Sequence, residues 1–157
     1  MSAISSHEWP GRPSAIAFVR LLLAPSGTVA EVRAPRVRRG HFTTNASGYF
    51  DDAEKVVDAV ASIDGDAENI YATLNPVLPE LLARAENRLK FGVKTTTSDA
   101  DIVVRRFLCI DLDPRRPAGI SSTEGEKAAA MKLAAEVKAY LHSLGFPEPI
   151  EADSANG

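Results

Sequence analysis

Residues 102–112 form the strongest predicted strand of the chain, and an acidic triplet closes it. The segment is apolar except for Arg105, Arg106 and the first aspartate of Asp111-Leu112-Asp113. A run of this length bounded by turn residues predicts a buried strand. Side chains alternate between the two faces of a strand, so the two aspartates are predicted to project together, about 7 Å apart.

Strand-like and helix-like segments alternate around this run. Residues 16–23 fit a short helix or a buried strand, and residues 29–33 alternate as a strand does, which would give a hairpin-like start. Strands are also expected at 70–74 and from 149. Helices are predicted from a cap at Asp51 to Gly65, from Pro79 to about 89, and from a cap at Ser122 or Thr123 to Gly145. The pattern indicates an α/β or α+β fold, a mixed sheet flanked by helices.

Length and composition indicate one globular domain. The chain has 157 residues, 45% of them hydrophobic, and a net charge of -3, which argues against a wholly electrostatic nucleic-acid binder. We interpret residues 1–15 as a flexible lead-in and 16–157 as the domain. Cys109 is the single cysteine and excludes an internal disulfide. With no predicted membrane span or export signal, we expect a cytoplasmic protein.

Two adjacent carboxylates at a strand end repel one another unless a cation neutralises them. Mg²⁺ or Mn²⁺ suits such hard oxygen ligands, and a two-metal site can activate a hydroxyl and stabilise a leaving pyrophosphate. The alternative is that Asp111 and Asp113 simply end a strand before a solvated turn. A second pair, Asp99 and Asp101, lies in a Thr/Ser-rich loop that no apolar run precedes, and we assign it to the turn.

Several ordered segments resemble the archaeo-eukaryotic primase superfamily, in particular the primase-polymerases of phages, plasmids and mobile elements. Residues 107–123 (FLCIDLDPRRPAGISST) resemble the first catalytic motif of that group. The other matching segments are 47–51 (SGYFD), 71–76 (YATLNP), 97–101 (TSDAD) and 153–157 (DSANG), the last resembling the start of the second motif.

The resemblance implies a DNA primase or DNA polymerase activity in DNA replication, a nucleotidyl transfer with Mg²⁺ or Mn²⁺ held by Asp111 and Asp113. It implies an RRM-like core, incomplete here, a DNA template and primer with (d)NTPs as partners, and in the full-length protein a helicase module. Ser154 and Asn156 would contact the nucleotide. Arg116, beside the aspartates, is placed to meet a triphosphate.

The chain also departs from the family pattern. Ala155 stands where the group has Gly, and the chain ends before the motif's His and the third acidic ligand. We therefore expect the N-terminal portion of a catalytic domain, with weak or no activity. Two other function classes stay open, a metal-dependent phosphoesterase and a non-catalytic nucleic-acid-binding remnant. We expect one of two roles for Arg36, Arg38 and Arg39. They contact template phosphates, or they lie in a solvated loop.

Overall fold

The structure is a computed structural model that describes residues 11–117 and 119–151. No helix within those ranges is long and apolar enough to cross a membrane. The chain divides between Leu108 and Cys109 into two compact units, which are described separately.

The first unit is built on a four-stranded sheet. Its strands are β1 (Ala30–Arg39), β2 (Phe42–Phe50), β3 (Tyr71–Ala72) and β4 (Lys90–Phe91), in the order β3-β1-β2-β4. All three pairings are antiparallel, so the predicted mixed sheet is corrected to an antiparallel one. The reason is the tight turn between β1 and β2 at Gly40, because a parallel pairing needs a much longer crossover.

β1 contains an irregularity at the predicted arginine loop. The register with β2 shifts between Ala34 and Val37. Arg36 lies there at a φ of 52°, a left-handed conformation that costs a non-glycine residue about 1 kcal/mol. Its backbone N–H donates to Asn45 Oδ1 at 3.2 Å, which satisfies the donor that the ladder leaves free. The arginines therefore lie on a bulged strand and not in a loop.

A helix precedes the sheet. α1 (Arg12–Leu22) resolves the helix-or-strand alternative for residues 16–23, and no hairpin forms there. Pro13 lies in its first turn, where the missing N–H is tolerated. The Arg12 guanidinium donates to Asp58 at 2.6 Å, which ties the start of α1 to the next helix. The predicted lead-in is thus helical from Arg12, and residues 1–10 lie outside the described residues.

The second helix, α2 (Ala53–Ala61), begins one residue later than predicted. Asp52, not Asp51, is the N-cap, and its carboxylate accepts the backbone N–H groups of Glu54 at 2.8 Å and Lys55 at 3.2 Å. Asp51 instead accepts a hydrogen bond from the Asn87 side chain at 2.7 Å. Adjacent acidic residues offer the same cap chemistry, so the sequence alone could not separate them.

The core of the first unit lies between the sheet and these helices. Phe50 and Val37 are completely buried, and Val32 and Ile63 nearly so. The expected helix from Pro79 is a shorter 3₁₀-helix (Pro79–Arg84), and Asp99–Asp101 form a second one.

The second unit contains α3 (Glu124–Ser143). Thr123 caps it in a capping box with Glu126, as one of the two predicted alternatives had it, and Gly145 follows at a φ of 84°. No residue of α3 is buried, and large apolar side chains of this unit are exposed. The apolar side chains of α3 are half-buried or exposed, so the described residues of this unit cover them only in part.

Candidate functional site

The segment that leads to the acidic triplet begins with backbone hydrogen bonds to residues 76–78 of the first unit. Leu78 N–H donates to the Asp101 carbonyl at 2.8 Å, and Val103 N–H donates to the Pro76 carbonyl at 3.0 Å. These bonds flank a single antiparallel bridge between Val77 and Ile102. The predicted strand therefore begins to pair at its first residue.

The pairing ends there, which corrects the prediction of a long strand. Beyond Ile102, no residue of the described segment up to Leu112 belongs to a strand. Here the side chain of Asn75 takes the place of a partner strand. Its oxygen accepts the backbone N–H groups of Arg106 at 2.7 Å and Phe107 at 2.8 Å. Strand propensity reflects packing against neighbouring strands, so an apolar run without a described partner strand does not form a ladder.

Asp111 and Asp113 both belong to the second unit and both are exposed. The intervening Leu112 and the following Pro114 are half-buried, so exposure alternates along the segment as in an extended chain. Neither carboxylate makes a hydrogen bond or ion pair with another residue in the described part of the chain. Two unpaired carboxylates at this spacing are a donor set that fits a hard divalent cation.

The described residues bring no larger acidic group together. Within 11–117 and 119–151, no cluster of three or more His, Cys, Asp or Glu side chains is placed to hold a metal ion. Asp111 and Asp113 are therefore two candidate ligands without a third among the residues described.

The other predicted nucleotide contacts fall in different places. Arg116 is half-buried and its guanidinium donates to the Ile120 carbonyl at 2.6 Å, so it closes a turn within the second unit. Arg115, beside it, is exposed. Ser154 and Asn156 lie outside the described residues.

The second Asp-x-Asp pair has a local structural role. The Asp101 carboxylate accepts the backbone N–H and the hydroxyl of Ser98, both at 2.8 Å, which closes a capping box on the short 3₁₀-helix. The bond from the Ser98 N–H is the main reason that the pKa of Asp101 lies below its ordinary value. The interpretation of this pair as part of a turn agrees with the contacts of Asp101.

The arginines predicted to contact nucleic acid are engaged by neighbouring side chains. Arg36 donates to Glu68 at 2.8 Å and Arg38 to Asp66 at 3.1 Å. Arg39 stacks over the Phe91 ring, 4.2 Å from its centroid. The charges of Arg36 and Arg38 are partly neutralised and Arg39 packs on a ring, which favours the solvated-surface interpretation over contacts to template phosphates.

A buried carboxylate in the first unit was not predicted from the sequence. The side chain of Glu31 is fully buried and accepts hydrogen bonds from Ser47 at 2.5 Å, from Arg33 at 2.7 Å and from the Thr97 N–H at 3.1 Å. Burial raises its pKa, but the three donors outweigh that effect and the pKa lies below 4.5. The opposite charges of Glu31 and Arg33, two apart in a strand, were the signal available in the sequence.

Comparison of the chain with protein-family models, curated proteins and solved structures finds no match in any of the three.

Proposed function

We propose that the chain is part of a primase-polymerase catalytic domain that adds nucleotides to a template-bound strand. Asp111 and Asp113 would hold divalent cations, Mg²⁺ or Mn²⁺, and the substrates would be (d)NTPs with a DNA template and primer. A helicase module and a role in the replication of a phage or other mobile element belong to the same proposal.

The observation that carries this proposal is the state of the two carboxylates. Both are exposed and neither has a partner among the described residues. Carboxylates tied into caps or ion pairs would have to break those bonds before binding a cation, whereas this pair does not. The ordered motifs around the pair, which resemble the primase-polymerases, give the site its proposed reaction.

The chain's own residues would act mainly by positioning. Asp111 and Asp113 would orient the triphosphate through the cation, and the exposed Arg115 follows them closely enough to meet phosphate oxygens. A bound divalent cation supplies charge stabilisation at the reacting phosphate and lowers the pKa of the attacking hydroxyl. Asn75 would hold the approach to the triplet in place through its bonds to Arg106 and Phe107.

The fold is compatible with this proposal. In it, the antiparallel sheet and its helices form the α/β layer, and the segment through Asp113 begins the RRM-like sheet. Leu108 and Ile110 support that view because they are large apolar side chains of an extended segment, 70% and 44% exposed. Such side chains are what a strand of a further sheet would bury.

A template-dependence assay tests the reaction. Labelled dNTP incorporation with Mn²⁺ on a primed template should be slow, should require the template, and should be lost in Asp111→Asn/Asp113→Asn. The control variant Asp99→Asn/Asp101→Asn carries the same charge change at the other pair and should retain incorporation. Release of phosphate or nucleotide without template would favour the phosphoesterase alternative. Incorporation unchanged in the first variant would contradict the proposal.

A further inference from the structure

A cleft of about 330 Å³ opens on the first unit, beside part of its hydrophobic core. Its walls come from β2, from the end of the first 3₁₀-helix, from β4 and from the segment that follows β4. The lining residues that matter here are Ser47, Tyr49, Arg84, Lys90, Gly92 and Lys94.

Three cations meet at this cleft. The side chains of Arg84, Lys90 and Lys94 are exposed, and none makes a hydrogen bond or ion pair in the described ranges. The acidic groups near the cleft are held by other partners or make no ion pair with these cations in the described part of the chain. Asp101 interacts electrostatically with Arg84 but is tied to Ser98.

Two further acidic residues, Glu31 and Glu86, lie near the cleft. Glu31 lies behind Ser47 and is held by its own three donors. Glu86 is exposed and bridges to the backbone of Tyr49, and its carboxylate makes no ion pair with the cleft cations among the described residues. The cleft therefore keeps a local positive charge on a chain whose net charge is -3. Like charges held together in this way attract an anionic ligand.

Tyr49 forms part of the wall of the cleft. It is 3% exposed and packs among apolar residues of the first unit. Its hydroxyl is buried, so a ligand in the cleft would contact the exposed cations and not this oxygen.

The rim of the cleft is held in place before any ligand binds. Gly92, at a φ of 72°, turns the chain after β4, and its N–H donates to the Asn45 carbonyl at 2.9 Å. At the far end, Thr97 is fixed by Glu31 and by Arg33, whose guanidinium donates to the Thr97 carbonyl at 3.0 Å. Lys94 lies between these two anchors. A fixed rim reduces the ordering entropy that binding would cost.

We propose that this cleft binds phosphate groups, with Arg84, Lys90 and Lys94 as the cationic contacts. Its volume suits a ligand of nucleotide size. The phosphates could belong to a polynucleotide backbone or to a free nucleotide. The proposal goes beyond the nucleotidyl-transfer proposal because it does not involve Asp111 or Asp113.

Binding of a fluorescent single-stranded oligonucleotide, followed by anisotropy across a range of salt concentrations, tests the cleft. Arg84→Gln/Lys90→Gln/Lys94→Gln should weaken binding more than about tenfold and reduce the salt slope by about 2, since each single-strand phosphate contact contributes about 0.7. The matched control, Arg36→Gln/Arg38→Gln/Arg39→Gln, removes the same charge and should change affinity by less than about threefold.

Circular dichroism and thermal unfolding of each variant would show that the fold is retained.

Competition separates the two sources of phosphate. Displacement of the oligonucleotide by millimolar dATP, weakened in the same cleft variant, would assign the cleft to a free nucleotide, and resistance to dATP and inorganic phosphate would assign it to a polynucleotide. Either outcome supports the phosphate site. Equal loss of affinity in the cleft and control variants, or no binding of the oligonucleotide, dATP or phosphate, would overturn it.

Discussion

Two Asp-x-Asp pairs of the chain, Asp99/Asp101 and Asp111/Asp113, lie in different units, and their carboxylates have different surroundings. In the first unit Asp101 caps its own short helix, Asp52 caps α2 and Glu31 is buried among three donors. In the second unit Asp111 and Asp113 are exposed with no partner among the described residues. An Asp-x-Asp pair therefore has a structural role where backbone N–H groups bind its carboxylate oxygens. Where they do not, the carboxylates remain available to a ligand.

Apolar side chains show the same difference. Phe50 is completely buried in the first unit, whereas the helix of the second unit buries none of its residues. We therefore expect the first unit to be a stable frame, and the second to carry the candidate chemistry with little core of its own.

The largest expected effect is on the core. Phe50→Ala should lower the free energy of unfolding by about 3–5 kcal/mol, because it leaves a cavity in the first unit. Leu133→Ala in α3, where the side chain is 48% exposed, should change it by less than about 0.5 kcal/mol. Urea unfolding followed by fluorescence and circular dichroism measures both. Similar losses for the two variants would show that α3 is buried as the first unit is.

Loss of the buried carboxylate comes next. Glu31→Ala should destabilise the first unit by about 2 kcal/mol, since it removes three hydrogen bonds and leaves Arg33 without its buried partner. Arg33 is partly exposed, which keeps the loss below that of a fully buried pair.

The same residue gives a pH dependence. The pKa of Glu31 in the folded protein lies below 4.5, so the unfolded chain binds more protons as the pH falls through that range. Its stabilisation should be fully present well above the ordinary pKa of a glutamate side chain and should disappear as the pH falls through the lower pKa of the folded protein. Urea unfolding from pH 7 to pH 3 should show a steeper acid loss in the wild type than in Glu31→Gln, and equal slopes would refute this.

A smaller effect separates the two aspartates before α2. Asp52→Ala should cost about 1 kcal/mol of stability, because two N–H groups at the helix start lose their acceptor. Asp51→Ala should cost about half as much, since it removes one exposed hydrogen bond to Asn87. Thermal unfolding of the two variants compares them directly, and the reverse order would move the cap back to the residue that the sequence predicted.

The smallest effect is local. Asn75→Ala should speed hydrogen exchange at the Arg106 and Phe107 amides by about threefold and leave global stability nearly unchanged, because two bonds to one side chain are lost. Exchange measured by NMR residue by residue is the test. Unchanged protection at both amides would mean that something other than Asn75 orders the approach to the triplet.

The sequence predicted elements whose signals are local. The Thr123 cap with Glu126, the α2 helix and the strand at the start of β1 are confirmed, since capping boxes and apolar periodicity act over a few residues. β2 was not predicted, because residues 42–47 are largely polar and exposed at their start. The antiparallel order also depends on pairing between distant segments, which composition does not reveal.

The site was predictable in part. The spacing of Asp111 and Asp113 identified the pair, but the predicted strand under it did not form, because pairing beyond Ile102 needs a partner that no local pattern supplies. The charge of Arg36 and Arg38 was visible, but their pairing with Glu68 and Asp66 was not. The cleft cations Arg84, Lys90 and Lys94 lie within eleven residues of the sequence, but only the fold shows that they share a cleft with Ser47 and Tyr49 of β2.

The most direct test of the account is a Mn²⁺ titration followed by electron paramagnetic resonance, with the wild type and the two double variants. Binding should be the same for the wild type and Asp99→Asn/Asp101→Asn, and weaker by more than about tenfold, or about 1.4 kcal/mol, for Asp111→Asn/Asp113→Asn. Added dATP should strengthen binding in the first two proteins alone. Equal Mn²⁺ affinity in all three, or a loss confined to Asp99→Asn/Asp101→Asn, would contradict the assignment of the metal site to Asp111 and Asp113.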